Sequence, residues 1–235
     1  MLGRILELWR GKGLISQMMD DFMDMLKLGK SMFDTVMSAG MEGGDLRAIR
    51  EDLFSKDTAV NQLEQTVRRK ILVHLSVQAG ADVPACLVLM SVAKDAERLG
   101  DYAKNIFQVF QTCSHLEPGL YYDQALRLSH EISAAFPSVA SVFGDADVET
   151  ARQLKEANHR LEKQCDAIIS ELLGGAECGT AVAYVLLFRF LKRILAHLGN
   201  IVSSVVMPVH KIDFYDEPEV GSRGQPVLAS RDISE

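Results

Sequence analysis

The sequence predicts an all-α protein built as two tandem three-helix bundles, and three observations lead to this prediction. Apolar residues recur every three to four positions along almost every long segment, whereas strand-like alternation is almost absent. Glycine or proline interrupts the pattern at intervals and separates six long helical segments. Motif positions in the first three segments recur in the last three at offsets of 95 and 98 residues, which indicates an internal duplication.

The first bundle is predicted over residues 13–113. Its first helix covers residues 14–37, where the apolar residues share one face, and a cluster of glycines follows it. The second helix covers residues 45–78 and is stopped by Gly80. The third helix begins at Pro84, a residue suited to a first helical turn, and extends to residue 113.

The second bundle is predicted over residues 119–212, after the helix-breaking pair Pro118 and Gly119. Its helices are expected at residues 120–143, 148–173 and 181–206. The last helix is the most hydrophobic, but three basic side chains interrupt it, at positions 189, 192 and 193. A membrane-spanning helix needs about 20 mostly uncharged residues, so this segment is interpreted as a buried core helix.

Two terminal segments lie outside the predicted bundles. Residues 1–12 form a short amphipathic segment with one apolar stripe, made of Leu2, Ile5, Leu6 and Trp9. This segment fits a helix that touches anionic lipid at a membrane surface, and it fits equally a helix that folds back on the bundle. Residues 213–235 are polar and rich in glycine and proline, so we expect a disordered tail.

Composition limits the function further. The chain has 235 residues and a net charge of -7, so its long-range field repels phosphate backbones and predicts no nucleic-acid partner. No secretory signal is visible, since charges interrupt the apolar residues at the start. The four cysteines lack a Cys-x-x-Cys spacing. Reduced thiols and a cytoplasmic location are therefore expected.

Two acidic stripes carry the candidate chemistry. The third predicted helix holds Glu97, Asp101 and Asn105, and the second holds Asp57, Asn61 and Glu64. Spacings of three and four residues place each set on one helix face, so two facing stripes could bind a hard cation. The alternative is a solvated face whose carboxylates pair with neighbouring lysines, such as Lys94 and Lys104.

With these motifs the chain resembles the PhoU family of cytoplasmic regulators of bacterial phosphate uptake. The family motif Glu-Arg-Ile-Gly-Asp followed by Asn-Ile is nearly complete in residues 97–101 and 105–106, and Asp-x-x-Val-Asn-x-x-Glu is present at residues 57–64. The resemblance implies two three-helix bundles with metal motifs. It also implies contact with a phosphate transporter subunit and a sensor histidine kinase, or with a sodium-phosphate symporter. We further expect a homodimer, with peripheral contact at the inner face of the membrane.

The second half departs from this motif. By the duplication, Glu97 corresponds to Lys192, Asp101 to Ala196, Asp57 to Lys155 and Asn61 to His159. Because a charged lysine has no lone pair for a metal, a metal is expected in the first bundle only. We hypothesise that Lys155 or Lys192 replaces the missing cation by pairing with Glu156 or Glu162.

Ligand chemistry and missing motifs define the predicted function. Glu97, Asp101, Asp57 and Asn61 are the metal-ligand candidates, with Glu64 beside them. Oxygen ligands favour magnesium, manganese or iron over a closed zinc site, and the identity of the metal stays open among these four. No nucleophile elbow, Walker loop or dinucleotide motif is present, and only one Glu-x-x-His pair fits an oxidase centre. The sequence therefore predicts a non-enzymatic, metal-binding regulator of phosphate transport or signalling; the alternative is a structural helical adaptor without functional metal.

Overall fold

The fold is that of a computed structural model, which describes residues 13–77, 80, 82–113, 116, 118–175 and 180–212. Its helices are α1 (Leu14–Met41), α2 (Arg50–Val77), α3 (Val83–Thr112), α4 (Leu120–Asp145), α5 (Val148–Leu173) and α6 (Ala181–Val206), and a 3-10 turn follows at Val209–Lys211. All six predicted helices are present, and the described part of the chain contains no strand. The predictions for residues 1–12 and 213–235 concern segments outside the described residues.

The six helices form two three-helix bundles, α1 to α3 and α4 to α6, and the all-α prediction is confirmed. In the first bundle, α2 packs on α1 and α3. In the second bundle, α5 packs closely on α6. The bundles meet where α3 contacts α6 and α1 contacts α4. One continuous hydrophobic core therefore extends through both halves. The exact limits of the two predicted domains stay a prediction.

Aromatic and polar contacts join α1 to α4 across this boundary. The Phe22 and Phe143 rings lie 4.8 Å apart, and the Phe33 and Phe136 rings lie 6.0 Å apart. The Tyr122 hydroxyl donates a hydrogen bond to the backbone carbonyl of Met41 at the end of α1. Buried aromatic pairs of this kind contribute roughly 0.5–1.5 kcal/mol each beyond their buried area. The two bundles are thus held in a fixed relation.

Two glycines of α1 lie against α3, and the close approach of the two helices depends on one of them. A Cβ atom on Gly40 would lie 2.1 Å from Cδ2 of Phe110, well inside van der Waals contact. A Cβ atom on Gly29 would lie 3.4 Å from Cβ of Leu99, which is ordinary contact. The end of α1 therefore has no room for a side chain, whereas its middle has room for a methyl group.

None of the helices that the structure describes combines the length and the apolarity that crossing a bilayer requires. The most hydrophobic helix, α6, is instead the centre of its bundle, since thirteen of its residues are buried. This finding agrees with the interpretation of that segment as a core helix.

Burial makes Cys165 on α5 unreactive. Its side chain is 0% exposed, and loss of hydration, aided by the charge of Asp166, raises the thiol pKa to about 12. Because the thiolate is the reactive form, we expect iodoacetamide near pH 8 to label the partly exposed Cys113 first and Cys165 only after unfolding. Mass spectrometry of a labelling time course measures this order. Equal labelling rates at the two cysteines in the folded protein would contradict the described packing.

Candidate metal centre

Asp57 on α2 and Asp101 on α3 come together around one ammonium group. Nζ of Lys104 lies 2.7 Å from Oδ1 of Asp57 and 3.0 Å from Oδ1 of Asp101. The helices approach closely here, because a Cβ atom on Gly100 would lie only 3.9 Å from Oδ1 of Asp57. Two stripes that are far apart in sequence thus face each other at this pair of carboxylates.

Lys104 carries a positive charge throughout the physiological pH range. Its burial lowers the pKa, but hydrogen bonds to Asp57 and Asp101 and the charges of both carboxylates together outweigh burial and raise the pKa of Lys104 above its ordinary value. The three side chains are 21%, 14% and 27% exposed, respectively. Their interaction is therefore less screened than that of a fully exposed ion pair.

The other carboxylates of the two stripes also have cationic partners. Glu97 accepts a hydrogen bond of 2.7 Å from Lys94, and Asp101 accepts one of 3.1 Å from Arg98. Oε1 of Glu64 lies 2.8 Å from Nη2 of Arg68, although the angle is not that of a hydrogen bond. Four carboxylates are thus matched by four cations, and the charge of the acidic stripes is balanced by the chain itself.

The two asparagines of the acidic stripes lie in different surroundings. Asn61 lies one turn after Asp57 on α2 and is partly buried. Asn105 instead lines a groove of about 470 Å³ between α3 and α6, together with Val109 and Leu186. In the described ranges, no group of three or more Asp, Glu, His or Cys side chains is arranged to hold a metal. Metal binding by Glu97, Asp101, Asp57, Asn61 and Glu64 stays a prediction.

The donor set nevertheless fits a hard cation at one place. Lys104 acts as a stand-in ion, since its ammonium group is bound by carboxylate oxygens from two helices at distances below 3.1 Å. Magnesium, manganese and iron(II) prefer such oxygen ligands. A metal at Asp57 and Asp101 would have to displace Lys104, because both cations would use the same oxygens.

Lys192, the counterpart of Glu97 in the second half, forms an ion pair between two helices. Nζ of Lys192 on α6 lies 2.6 Å and 2.7 Å from the two carboxylate oxygens of Asp166 on α5. A lysine therefore joins these two helices as hypothesised, but the predicted partners Glu156 and Glu162 are wrong for Lys192. The reason is the antiparallel register, which places Asp166, one turn beyond Glu162, beside Lys192.

A buried polar network between the halves was not identified from the sequence. Asp95 on α3 is 6% exposed, and its Oδ1 accepts hydrogen bonds of 2.8 Å from Nδ1 of His197 and 2.9 Å from Nδ2 of Asn200 on α6. A signal was available, since Asp95 interrupts a stripe of otherwise apolar residues at helical spacing. The network fixes the register of α3 against α6, because a buried carboxylate needs its donors.

Residues 22–109 match the family model for the PhoU domain, and this range includes all of α2, most of α1 and α3, and both acidic stripes. The first bundle is therefore similar to a PhoU domain. A phosphate-specific transport system accessory protein PhoU homolog from Xylella fastidiosa is 26% identical over 161 residues, which are 66% of this chain and 67% of that protein.

Two solved PhoU structures have the same fold. PhoU from Pseudomonas aeruginosa superimposes with a TM-score of 0.74 at 16% identity, over 84% of this chain and 97% of that one. The phosphate transport system regulatory protein PhoU from Streptococcus pneumoniae gives a TM-score of 0.67 at 18% identity, over 82% and 95% of the two chains. Both matches extend across the two bundles, whereas the PhoU family model matches residues in the first bundle alone.

Proposed function

We propose that this chain is a member of the PhoU family and a non-enzymatic regulator of phosphate transport that acts by contact with other proteins. The observation that carries the proposal is the PhoU domain at residues 22–109, within a six-helix fold shared with PhoU structures over most of the chain. Among the described residues the polar clusters are ion pairs and interhelical hydrogen bonds, which suits a scaffold with two rigid bundles. A phosphate transporter subunit, a sodium-phosphate symporter and a sensor histidine kinase are the proposed partners.

The place of action follows from these partners. A regulator of a phosphate transporter would work in the cytoplasm, at the inner face of the membrane, and a homodimer would present two copies of each bundle there. The amphipathic residues 1–12 would then lie near lipid, which is the membrane contact expected from their apolar stripe.

Deletion of the gene, followed by measurement of phosphate uptake, tests this function. We expect the rate of phosphate uptake to change on deletion and to return when the full-length chain is expressed again. A tagged full-length chain, cross-linked in phosphate-replete and phosphate-starved cells, should recover a phosphate transporter or sensor kinase in amounts that differ between the two conditions. Unchanged uptake in the deletion strain, with neither partner recovered, would remove the proposed function.

We propose in addition that a divalent cation binds at Asp57 and Asp101 of the first bundle, with Asn61 beside them, in exchange for Lys104. Such a cation would supply positive charge between two helices and fix their angle. The chain contributes the two carboxylates, which α2 and α3 hold on either side of one cationic group. The proposal is tested through Lys104 in the Discussion.

A metal-independent adaptor is the second candidate, and the balanced charge of the stripes favours it. Each carboxylate of the two stripes already lies within 3.1 Å of a lysine or arginine nitrogen. For this candidate, chelation leaves both the melting temperature and partner recovery unchanged. For the metal-binding regulator, chelation lowers at least one of them.

A further inference from the structure

A basic groove lies between the start of α5 and the end of α6. We define the basic groove by its basic side chains Arg152, Lys155, His159 and Arg160, with Glu156 also in its lining and Val206 and Met207 as its apolar floor. Its volume is about 520 Å³. Spacings of three and four residues place the basic side chains on one face of α5, so their charges reinforce each other.

The duplication explains why this groove is basic. Lys155 and His159 occupy the positions that Asp57 and Asn61 hold in the first half. Lys104, which neutralises the first site, has Gly199 as its counterpart and therefore no equivalent side chain. In the first half this place in the fold holds two acidic side chains that share one lysine. In the second half the same place is the basic groove.

The chain itself contains a segment of opposite charge that follows the groove residues Val206 and Met207 closely in sequence. Residues 213–219 contain four carboxylates and two aromatic rings, in the sequence Asp-Phe-Tyr-Asp-Glu-Pro-Glu. They follow directly after Ile212, which is buried and lies only five residues beyond Met207 in the groove floor. Seven extended residues span roughly 23 Å, so this acidic segment reaches the groove without moving a helix.

Covalent attachment favours this segment over a separate acidic partner. A tethered ligand on a short linker has an effective concentration in the millimolar range, which a free protein or free phosphate rarely reaches. The apolar floor also suits a segment that carries Phe214 and Tyr215, and it does not suit inorganic phosphate. The charge, the reach and the side chains of segment 213–219 therefore all favour it as the ligand of the groove.

We propose that the acidic segment 213–219 of this chain docks in the basic groove formed by Arg152, Lys155, His159 and Arg160. The proposal is independent of the role in phosphate transport.

Zero-length cross-linking of the purified full-length protein tests the docking. A carbodiimide joins a lysine amine to a carboxylate only when the two groups touch, and mass spectrometry identifies the joined peptides. We expect coupling between Lys155 and residues 213–219, and several-fold less coupling at Lys163, which is exposed on α5 but lies outside the groove. Raising the salt to about 1 M, where the Debye length is about 3 Å, should abolish the difference.

Charge variants at both sides provide controls. Arg152→Ala with Arg160→Ala, and separately Asp216→Asn with Glu217→Gln, should each reduce coupling at Lys155. The melting temperature of the arginine variant should stay unchanged, because both arginines are exposed on α5. Equal coupling at Lys155 and Lys163 overturns the proposal. Coupling found only between isotopically light and heavy chains, in a mixture of the two, also overturns it, because the segment would then come from a second copy.

Discussion

Replacing Lys104 by methionine should destabilise the first bundle in the presence of a chelator and make its stability depend on added metal. Asp57 and Asp101 would face each other without the cation that now lies 2.7 Å and 3.0 Å from them. Partly buried carboxylates without a counter-charge repel each other, and we expect a loss of about 1–3 kcal/mol in the free energy of unfolding. For a chain of this size that loss lowers the melting temperature by roughly 2–4 °C per kcal/mol.

Added manganese or magnesium should reverse this loss. In the Lys104→Met variant a divalent ion no longer competes with the ammonium group, so we expect its affinity to be at least about tenfold higher than in the wild type, or 1.4 kcal/mol. Thermal melting and metal content of the same dialysed sample measure the two effects. The further substitution Asp101→Asn should remove metal binding again.

Lys94→Met is the matched control for Lys104. Lys94 lies on the same helix, its partner among the described residues is Glu97, and its side chain is 42% exposed. Removing such a pair costs at most about 0.5 kcal/mol, and metal should not change the result. If Lys104→Met melted like the wild type in chelator and bound no metal, Asp57 and Asp101 would not be a cation site. If wild type and variant bound metal equally well, Lys104 would not compete for it.

The substitution Gly40→Ala, which adds one methyl group to α1, should lower the free energy of unfolding. The new Cβ atom would lie 2.1 Å from Cδ2 and 2.4 Å from Cγ of Phe110, which is itself 2% exposed and packed in the hydrophobic core. Overpacking of this kind costs about 1–3 kcal/mol, and here we expect at least about 2 kcal/mol despite the better helix propensity of alanine. Urea unfolding followed by circular dichroism measures the change.

Gly29→Ala provides the comparison within the same helix. Its Cβ atom would lie 3.4 Å from Cβ of Leu99, so we expect a change close to zero or a slight stabilisation from the helix propensity of alanine. Combining Gly40→Ala with Phe110→Leu should cost less than the sum of the two single changes, because the smaller side chain makes room for the methyl group. Additive costs would show that the methyl group and the ring do not meet.

The helices were predictable because each one combines a local pattern with a local stop. The predicted helices at residues 148–173 and 181–206 agree with α5 and α6 to the residue, and Gly174 directly follows the end of α5. The first helix extends to Met41, four residues beyond its predicted end. It continues through Gly40 because packing on Phe110 compensates for the poor helix propensity of glycine.

The partners of the charged side chains were less predictable. The sequence indicated that Asp57 and Asp101 face each other, and it also offered Lys104 as a local partner of Asp101. It could not indicate that Lys104 reaches across to Asp57, because that contact depends on the rotation of α2 against α3. Asp95 and His197 were missed for the same reason, since they are 102 residues apart and meet only where α3 crosses α6.

The sequence by itself determined the helices, the duplication and the PhoU motif, because periodicity, helix stops and motif spacing are local properties of the chain. Only the tertiary structure decided which cation each carboxylate contacts and where a cationic groove remains, because interhelical register sets distances of a few ångström between residues far apart in sequence. At that scale, electrostatic energy changes steeply with distance and burial, and spacing along one helix does not determine either quantity.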